Sequence, residues 1–370
     1  MKVLLLANND GGLYRFRREL LERLLLEHEV HVSCPKGTFF EELVSMGCIV
    51  HLCEMDGHGM NPAAEWRLYR WLRKLIREIR PDMVFTYTIK PNIYGGIACG
   101  KAGIPYAANI TGLGLAVTAS GWKGVLFRRL YKAGLKKARI VFFQNAKDRT
   151  FMLQNGIVNG KNELLPGSGV NLSQFNVLDY PEAESIEFLF LSRVMKQKGI
   201  EELLTAAKAI REKYPNTVFH ICGTCDKEYE EKIKQADDAG IVAYHGFVKN
   251  TMDYQRISSC TVHPTYYPEG MSNVVLESCA CGRPVITTDR PGCKEAVDDG
   301  VTGFLVKERD SADLTEKLER FLMMDLDDRR RMGLAARRKV EAEFDREIVV
   351  RRYLELLSSL TAIDATAAKE

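Results

Sequence analysis

Residues 267–277 hold two carboxylates, Glu269 and Glu277, eight positions apart and on either side of a glycine. The stretch from Ser272 onward has the composition of a helix start, which places Glu277 on a helix and leaves Glu269 on the loop before it. One carboxylate can then meet a ribose while the other meets a sugar. The N–H groups of Gly270, Met271, Ser272 and Asn273 open that helix, and the unpaired amides and dipole of a helix N-terminus suit phosphate oxygens. A glycine turn ahead of an ordinary helix is the plainer reading of the same residues.

A second group lies upstream. After the apolar run 188–192 come Arg193 and, five positions on, Lys198, immediately before another helical stretch. A guanidinium fork and an ammonium point charge at the C-terminal end of a strand suit a diphosphate; a solvated basic loop is the alternative. The first apolar run, 3–7, leads into Asn8, Asn9, Asp10, Gly11 and Gly12 ahead of a helix. Gly12 lets backbone approach a bound group there, although the run is not the G-x-G-x-x-G dinucleotide pattern and a tight strand-to-helix turn needs glycine too. Cys222 and Cys225 form a C-x-x-C without a second pair at zinc-site spacing, and read as reduced thiols.

The elements that must position these residues follow from periodicity. Apolar runs 3–7, 29–33, 49–53, 82–87 and 106–110 alternate with amphipathic stretches at 15–26, 39–46, 66–79 and 95–101. A turn-rich lapse at 164–184 precedes a second series, with strands at 188–192, 217–222, 241–245, 260–263, 284–288 and 303–306. Helical stretches lie between these strands, and the chain ends in helical runs at 311–322, 327–343 and 345–360. Alternation of this kind predicts an α/β protein of two doubly wound, parallel-sheet domains, 1–170 and 171–345, with the segment 346–370 added to the first. Ligands of such sheets sit at the C-terminal strand ends, so the expected site faces a cleft between the domains.

Composition excludes several classes. Of the 370 residues, 46% are hydrophobic and 27% charged, the balance of an ordinary globular protein. No apolar run approaches the roughly 20 residues of a membrane span, and the first residues lack a signal-peptide pattern, so a cytoplasmic location is expected. The net charge of +3 hides an asymmetry: residues 1–179 carry 24 Lys and Arg against 15 Asp and Glu, a net +9, and the remainder is −6. Residues 122–139 contribute seven of these cations and no acid, interleaved with Trp122, Phe127 and Tyr131. Such a helix fits docking on an anionic leaflet, at about 1 kcal/mol per basic residue, or a core-packed helix with a solvated basic face. No nucleic-acid recognition motif accompanies the charge.

The R-x4-K loop and the E-x7-E loop in one domain, together with Gly246-Phe247-Val248, Gly282-Arg283-Pro284 and the glycines at 292, 300 and 303, resemble the retaining, GT-B-fold glycosyltransferases of family 4. The resemblance implies two Rossmann-like domains facing a central cleft, with the C-terminal helix crossing back to the first domain. It implies that Arg193 and Lys198 bind the donor diphosphate, Glu277 the ribose, Glu269 the donor sugar, and Phe247 and Val248 the base. Gly12 contributes from the opposite domain, and Gly270, Met271, Ser272 and Asn273 complete the donor site. Front-face transfer then follows, with Glu269, Arg193 and Lys198 as the catalytic group and neither metal nor cofactor beyond a UDP-sugar donor. The chain departs from the pattern in having no histidine between His58 and His220, and in Met271 and Ser272 where an aromatic and a small residue are usual.

Lys90, Asn92, Thr111 and Gly112 lie in segments similar to bacterial enzymes of this family that extend undecaprenyl-diphosphate-linked sugars. The expected acceptor is therefore a lipid-linked saccharide, reached from the inner face of the cell membrane. Two rival readings are a UDP-sugar epimerase of the same architecture and a non-enzymatic basic binding protein.

Overall fold

The computed structural model describes residues 1–55 and 61–367. The chain divides into two compact units, one of Met1–Ser168, Glu269–Met271 and Arg346–Glu370, the other of Gly169–Pro268 and Ser272–Asp345. The short segment Glu269–Met271 thus groups with the first unit, whereas the sequence placed it in the second domain.

In the first unit, strands β1 (Lys2–Leu6), β2 (Glu29–Cys34), β3 (Ile49–Leu52), β4 (Met83–Tyr87), β5 (Tyr106–Ile110), β6 (Ile140–Phe143) and β7 (Asn162–Leu164) form one parallel sheet in the order β3-β2-β1-β4-β5-β6-β7. Helices α1 (Asp10–Leu25), α2 (Phe40–Ser45), α3 (Pro62–Ile79), α4 (Gly96–Ala102), α5 (Gly114–Thr118), α6 (Gly121–Leu135) and α7 (Ala146–Gln154) connect the strands. The central strands are apolar on both faces, as sheets covered by helices require: Val3, Leu4, Leu5, Leu6, Val84 and Phe85 are all fully buried.

The second unit repeats the plan. Strands β8 (Ile186–Leu191), β9 (Thr217–Cys222), β10 (Ala243–Tyr244), β11 (Cys260–His263), β12 (Val285–Thr288) and β13 (Gly303–Val306) form a parallel sheet in the order β10-β9-β8-β11-β12-β13. Helices α8 (Ile200–Lys213), α9 (Glu230–Asp238), α10 (Thr251–Ile257), α11 (Asn273–Ala280), α12 (Ser311–Leu322) and α13 (Leu326–Glu343) cover it, and the final helix α14 (Arg346–Ala367) belongs to the first unit. There Val349, Val350, Tyr353, Leu356, Leu357 and Leu360 join the core built on β1, β2 and β4.

Both sheets reverse direction beside their first strand, between β1 and β4 and between β8 and β11. Such switch points are where open α/β sheets bind ligands, at the carboxyl ends of the strands. The expected strand 241–245 shrinks to Ala243–Tyr244. The stretch ahead of α4 is a π-helix, Pro91–Gly95, which periodicity did not indicate.

Candidate active site

In the second unit, β8 ends at Leu191 and the chain passes through Ser192 and Arg193 into a 3-10 turn at Lys196–Lys198. Gly199 closes the turn at φ 79°, and a Cβ there would stand 2.2 Å from the Pro264 carbonyl oxygen. Only glycine lets this loop lie against the segment that follows β11. The Tyr266 amide (2.8 Å) and Thr265 Oγ1 (3.3 Å) both donate to the Gln197 carbonyl, and Lys198 Nζ lies 5.1 Å from the Tyr267 ring centre. The loop carrying Arg193 and Lys198 and the loop leading toward α11 are therefore neighbours across the switch point.

Arg193 is exposed, and its Nη2 and Nε donate to Met195 Sδ at 2.8 and 3.1 Å, with Asp226 Oδ1 3.8 Å from Nε. A thioether is a weak acceptor, so the fork keeps strong donor capacity for an oxyanion. Gly223 packs behind it: a Cβ would fall 2.0 Å from the Ser192 carbonyl oxygen. Burial pushes the Cys222 thiol up to about 12 and raises that of Cys225, so both members of the C-x-x-C stay protonated near neutrality.

At α11, Ser272 occupies the N-cap but its side chain makes no capping bond. Its Oγ lies 3.1 Å from His263 Nε2 instead, and its own N–H donates to the Gly292 carbonyl at 2.6 Å. The Ser272 amide is thus committed within the fold, while the first turn of α11 has no side-chain cap and keeps the partial positive charge of a helix start. Asn273 Oδ1 is buried there without a hydrogen-bond partner. Glu277 follows one turn along α11, partly buried. Val248 packs with Tyr254 and Val274 against Leu189, Leu191 and Cys222, while Phe247 is 59% exposed.

The first unit places its candidates differently. Asn9 caps α1 by accepting the Gly12 amide at 2.5 Å, and the buried Asp10 carboxylate accepts the Phe39 amide at 2.9 Å. This helix start already holds its own acceptor and its own negative charge, unlike α11. Within the same unit, Asn145 Nδ2 donates to the Gly270 carbonyl at 2.9 Å, and a Cβ on Gly270 would stand 2.7 Å from the Thr111 carbonyl. Glu269 is partly buried and Met271 buried.

Lys90 Nζ pairs with Glu65 at 2.6 Å, both largely buried. Asn92 is fully buried: its Oδ1 accepts from Thr86 Oγ1 (2.6 Å) and its Nδ2 donates to the Asn109 carbonyl (2.8 Å). It ties β4 to β5 and has no exposed atom for an acceptor, which departs from the contact expected of it. Thr111 and Gly112 follow β5 directly, with Gly112 at φ 118°.

Sequence reasoning passed over Thr88 and Glu65. Thr88 adopts φ 70°, an outlier for a β-branched residue, at the C-terminal end of β4, and its Oγ1 is buried without a partner. Glu65 carries no sequence signal, lying 25 residues before Lys90 on α3. Among the described residues no group of three or more His, Cys, Asp or Glu is arranged to hold a metal ion, and no helix is long and apolar enough to cross a membrane.

Two doubly wound units that share the order of their first six strands, the second with a cationic loop and an uncapped helix start at its switch point, have the architecture of the GT-B class. The family model for glycosyl transferases group 1 matches residues 179–339, and that for glycosyl transferase 4-like proteins matches residues 2–145. The chain is 27% identical, over 96% of its length and 98% of the relative's, to the N,N'-diacetylbacillosaminyl-diphospho-undecaprenol alpha-1,3-N-acetylgalactosaminyltransferase of Campylobacter jejuni. Its fold is that of Anabaena Alr3699/HepE, solved with UDP and glucose (TM-score 0.79, 19% identity, 97% of this chain and 100% of the other). The sucrose-phosphate synthase of Thermosynechococcus elongatus is similar as well (TM-score 0.80, 19% identity, 98% and 100% covered). The two models together span most of the chain, which is a glycosyltransferase of GT-B fold.

Proposed function

We propose that this glycosyltransferase moves a hexose or N-acetylhexosamine, with retention, from a UDP-sugar to a polyprenyl-diphosphate-linked saccharide. The observation that carries the donor half is the second unit's switch point, where the loop of Arg193 and Lys198 lies against the segment that leads to the uncapped start of α11. Two cations and a helix dipole there stabilise charge growing on a departing diphosphate. Glu277 takes the ribose hydroxyls, Val248 and Phe247 the base, and Glu269 the donor sugar, with Asn273 at the open helix start for the phosphates; Gly270, Met271 and Gly12 are the first unit's own donor candidates. The acceptor hydroxyl attacks the anomeric carbon on the face the diphosphate leaves, and the diphosphate takes the hydroxyl proton. No protein base, metal or cofactor enters this scheme.

The acceptor half draws on the likeness to the Campylobacter enzyme, whose name specifies an undecaprenyl-diphosphate-linked acceptor. Lys90, Thr111 and Gly112 lie at the carboxyl ends of β4 and β5 to receive it, and Asn92 holds those two strands in place. Peripheral contact with the inner leaflet fits α6, whose outward stripe carries Trp122, Val125 and Leu126 exposed, followed by Arg129, Lys132 and Lys136.

Incubation with radiolabelled UDP-sugars and undecaprenyl-diphosphate-linked saccharides tests the reading: label should pass to the lipid. Glu269→Ala should abolish transfer while UDP binding changes less than about threefold, and unchanged turnover in that variant would remove Glu269 from the donor-sugar site. Arg193→Ala should weaken UDP binding by about 10- to 100-fold, the value of one charge-assisted contact to phosphate.

A further inference from the structure

The second unit contains a hydrogen-bonded chain, running from buried His220 out to the exposed His245, that the scheme above does not use. Glu187, on β8, accepts from His220 Nε2 at 2.8 Å, and His220 Nδ1, on β9, meets His245 Nε2 at 2.9 Å. The imidazoles lie with ring centres 5.1 Å apart, and Tyr254 of α10 packs on His245 at 4.7 Å. His245 leads directly into Gly246, Phe247 and Val248. The loop is anchored on the same neighbours: the His245 amide donates to Ile221 O (2.9 Å), the Gly223 amide to Gly246 O (2.7 Å), and Val248 shares a cluster with Tyr254 and Cys222.

We propose that Glu187, His220 and His245 form a positioning device for the 246–248 loop, setting the affinity for the base of a nucleoside diphosphate. This rests on the reading above that the loop holds the base. The contact between the two rings needs one N–H and one lone pair. That condition is met when both imidazoles are neutral and when one proton is shared, since His220 can then donate to His245 while Glu187 balances the charge. Two imidazolium rings would oppose N–H to N–H, and the contact opens.

The groups facing His245 are His220 from β9, Tyr254 from α10 and, more distantly, Asp237 of α9, whose Oδ1 accepts the Tyr244 amide at 3.1 Å. Glu187 from β8 and Cys222 from β9 complete the surroundings. Burial first, and the neighbouring His220 second, hold the His245 imidazole below the ordinary histidine value. The neutral ring is the form that seats the loop, so nucleotide affinity is present above that value and is lost as pH falls through it. The first unit has the same arrangement in Glu29, His31 and His51 (2.7 and 2.9 Å), with no nucleotide-base loop following His51, and it serves as an internal control.

Calorimetric titration of the full chain with UDP at about pH 7.5 and about pH 5.5 tests the device. The terminal phosphate of UDP titrates in the same window for every variant, so the comparison is between proteins. Wild type and His51→Asn should lose about three- to tenfold more affinity on acidification than His245→Asn, which keeps a donor but cannot titrate. In turnover, the donor KM should rise with acid in wild type and stay flatter in His245→Asn, with kcat at neutral pH within about twofold. An identical acid loss in wild type and His245→Asn, or an effect on kcat rather than KM, overturns the proposal. Absence of UDP binding by the wild type at about pH 7.5 overturns the donor assignment itself, and this inference with it.

Discussion

Gly199 shows what a single position contributes to the loop proposed to hold the donor. Its φ of 79° is unfavourable for any residue with a Cβ, and the clash partner at 2.2 Å is a backbone carbonyl, Pro264, that cannot swing aside. Gly199→Ala must therefore push apart the loops on either side of the β8/β11 switch point. We expect it to destabilise the second unit by about 2–4 kcal/mol and to weaken UDP binding through displacement of Lys198, read by denaturant unfolding and calorimetry; wild-type values in both would show that the loops close without the glycine. The neighbouring Arg193 and Lys198 were legible in the sequence because strand and helix periodicity puts them at a strand end. The partners that shape the site were not: Pro264 lies 65 positions from Gly199, and the Gly292 carbonyl that takes the Ser272 amide is 20 away, so no local pattern joins them. Asn92 misled for a related reason. A polar residue beside Lys90 reads as surface, and only the β4/β5 pairing reveals that both ends of its amide are used inside.

At the scale of elements, α6 was legible as a basic helix, but which of its cations face outward depends on packing. Gly134 allows the helix to approach the π-helix so closely that a Cβ would come within 2.6 Å of the Asn92 carbonyl. That contact fixes its rotation. Arg128 is then turned inward, donating to the Val117 and Ala119 carbonyls, and Lys137 reaches the Gly100 carbonyl, so neither is a free surface charge. Lys123, Arg129, Lys132 and Lys136 remain exposed, behind the exposed Trp122, Val125 and Leu126. Neutralising those four with glutamine should lower partitioning onto phosphatidylglycerol vesicles on the order of 10²- to 10³-fold at low salt, from about 1 kcal/mol per charge. The loss should shrink as salt rises, because the attraction is screened. Trp122→Ser should reduce partitioning to a similar degree at every salt concentration, since it removes apolar insertion rather than charge. Sedimentation with vesicles separates the two behaviours, and equal binding by all variants would return α6 to a packed helix with a solvated face.

At the scale of the whole molecule, two sheets that share the order of their first six strands explain why the alternation of apolar and amphipathic runs was readable from end to end. The π-helix and the shortness of β10 were not readable, because both are set by tertiary contacts rather than by period. The last helix makes the first unit discontinuous in sequence. Tyr353 lies between Phe85 (4.9 Å) and Phe142 (5.3 Å), and its hydroxyl donates to Asn109 Oδ1, whose amide in turn donates to the Thr86 carbonyl at 3.1 Å. Residues beyond 345 are thus part of the core under β4, β5 and β6. Tyr353→Ala should destabilise the first unit by about 3–5 kcal/mol, as for other buried aromatics. Tyr353→Phe keeps the ring but leaves Asn109 Oδ1 buried without its donor, at about 1–3 kcal/mol. All three tryptophans, Trp66, Trp71 and Trp122, lie in the first unit, so their fluorescence follows that unit during denaturant unfolding while circular dichroism follows both. The fluorescence midpoint should move in the order wild type, Tyr353→Phe, Tyr353→Ala. A chain stopped at Asp345 should lose that transition while the dichroism of the second unit persists; retention of a wild-type fluorescence midpoint by the shortened chain would mean that the first unit closes its core without α14.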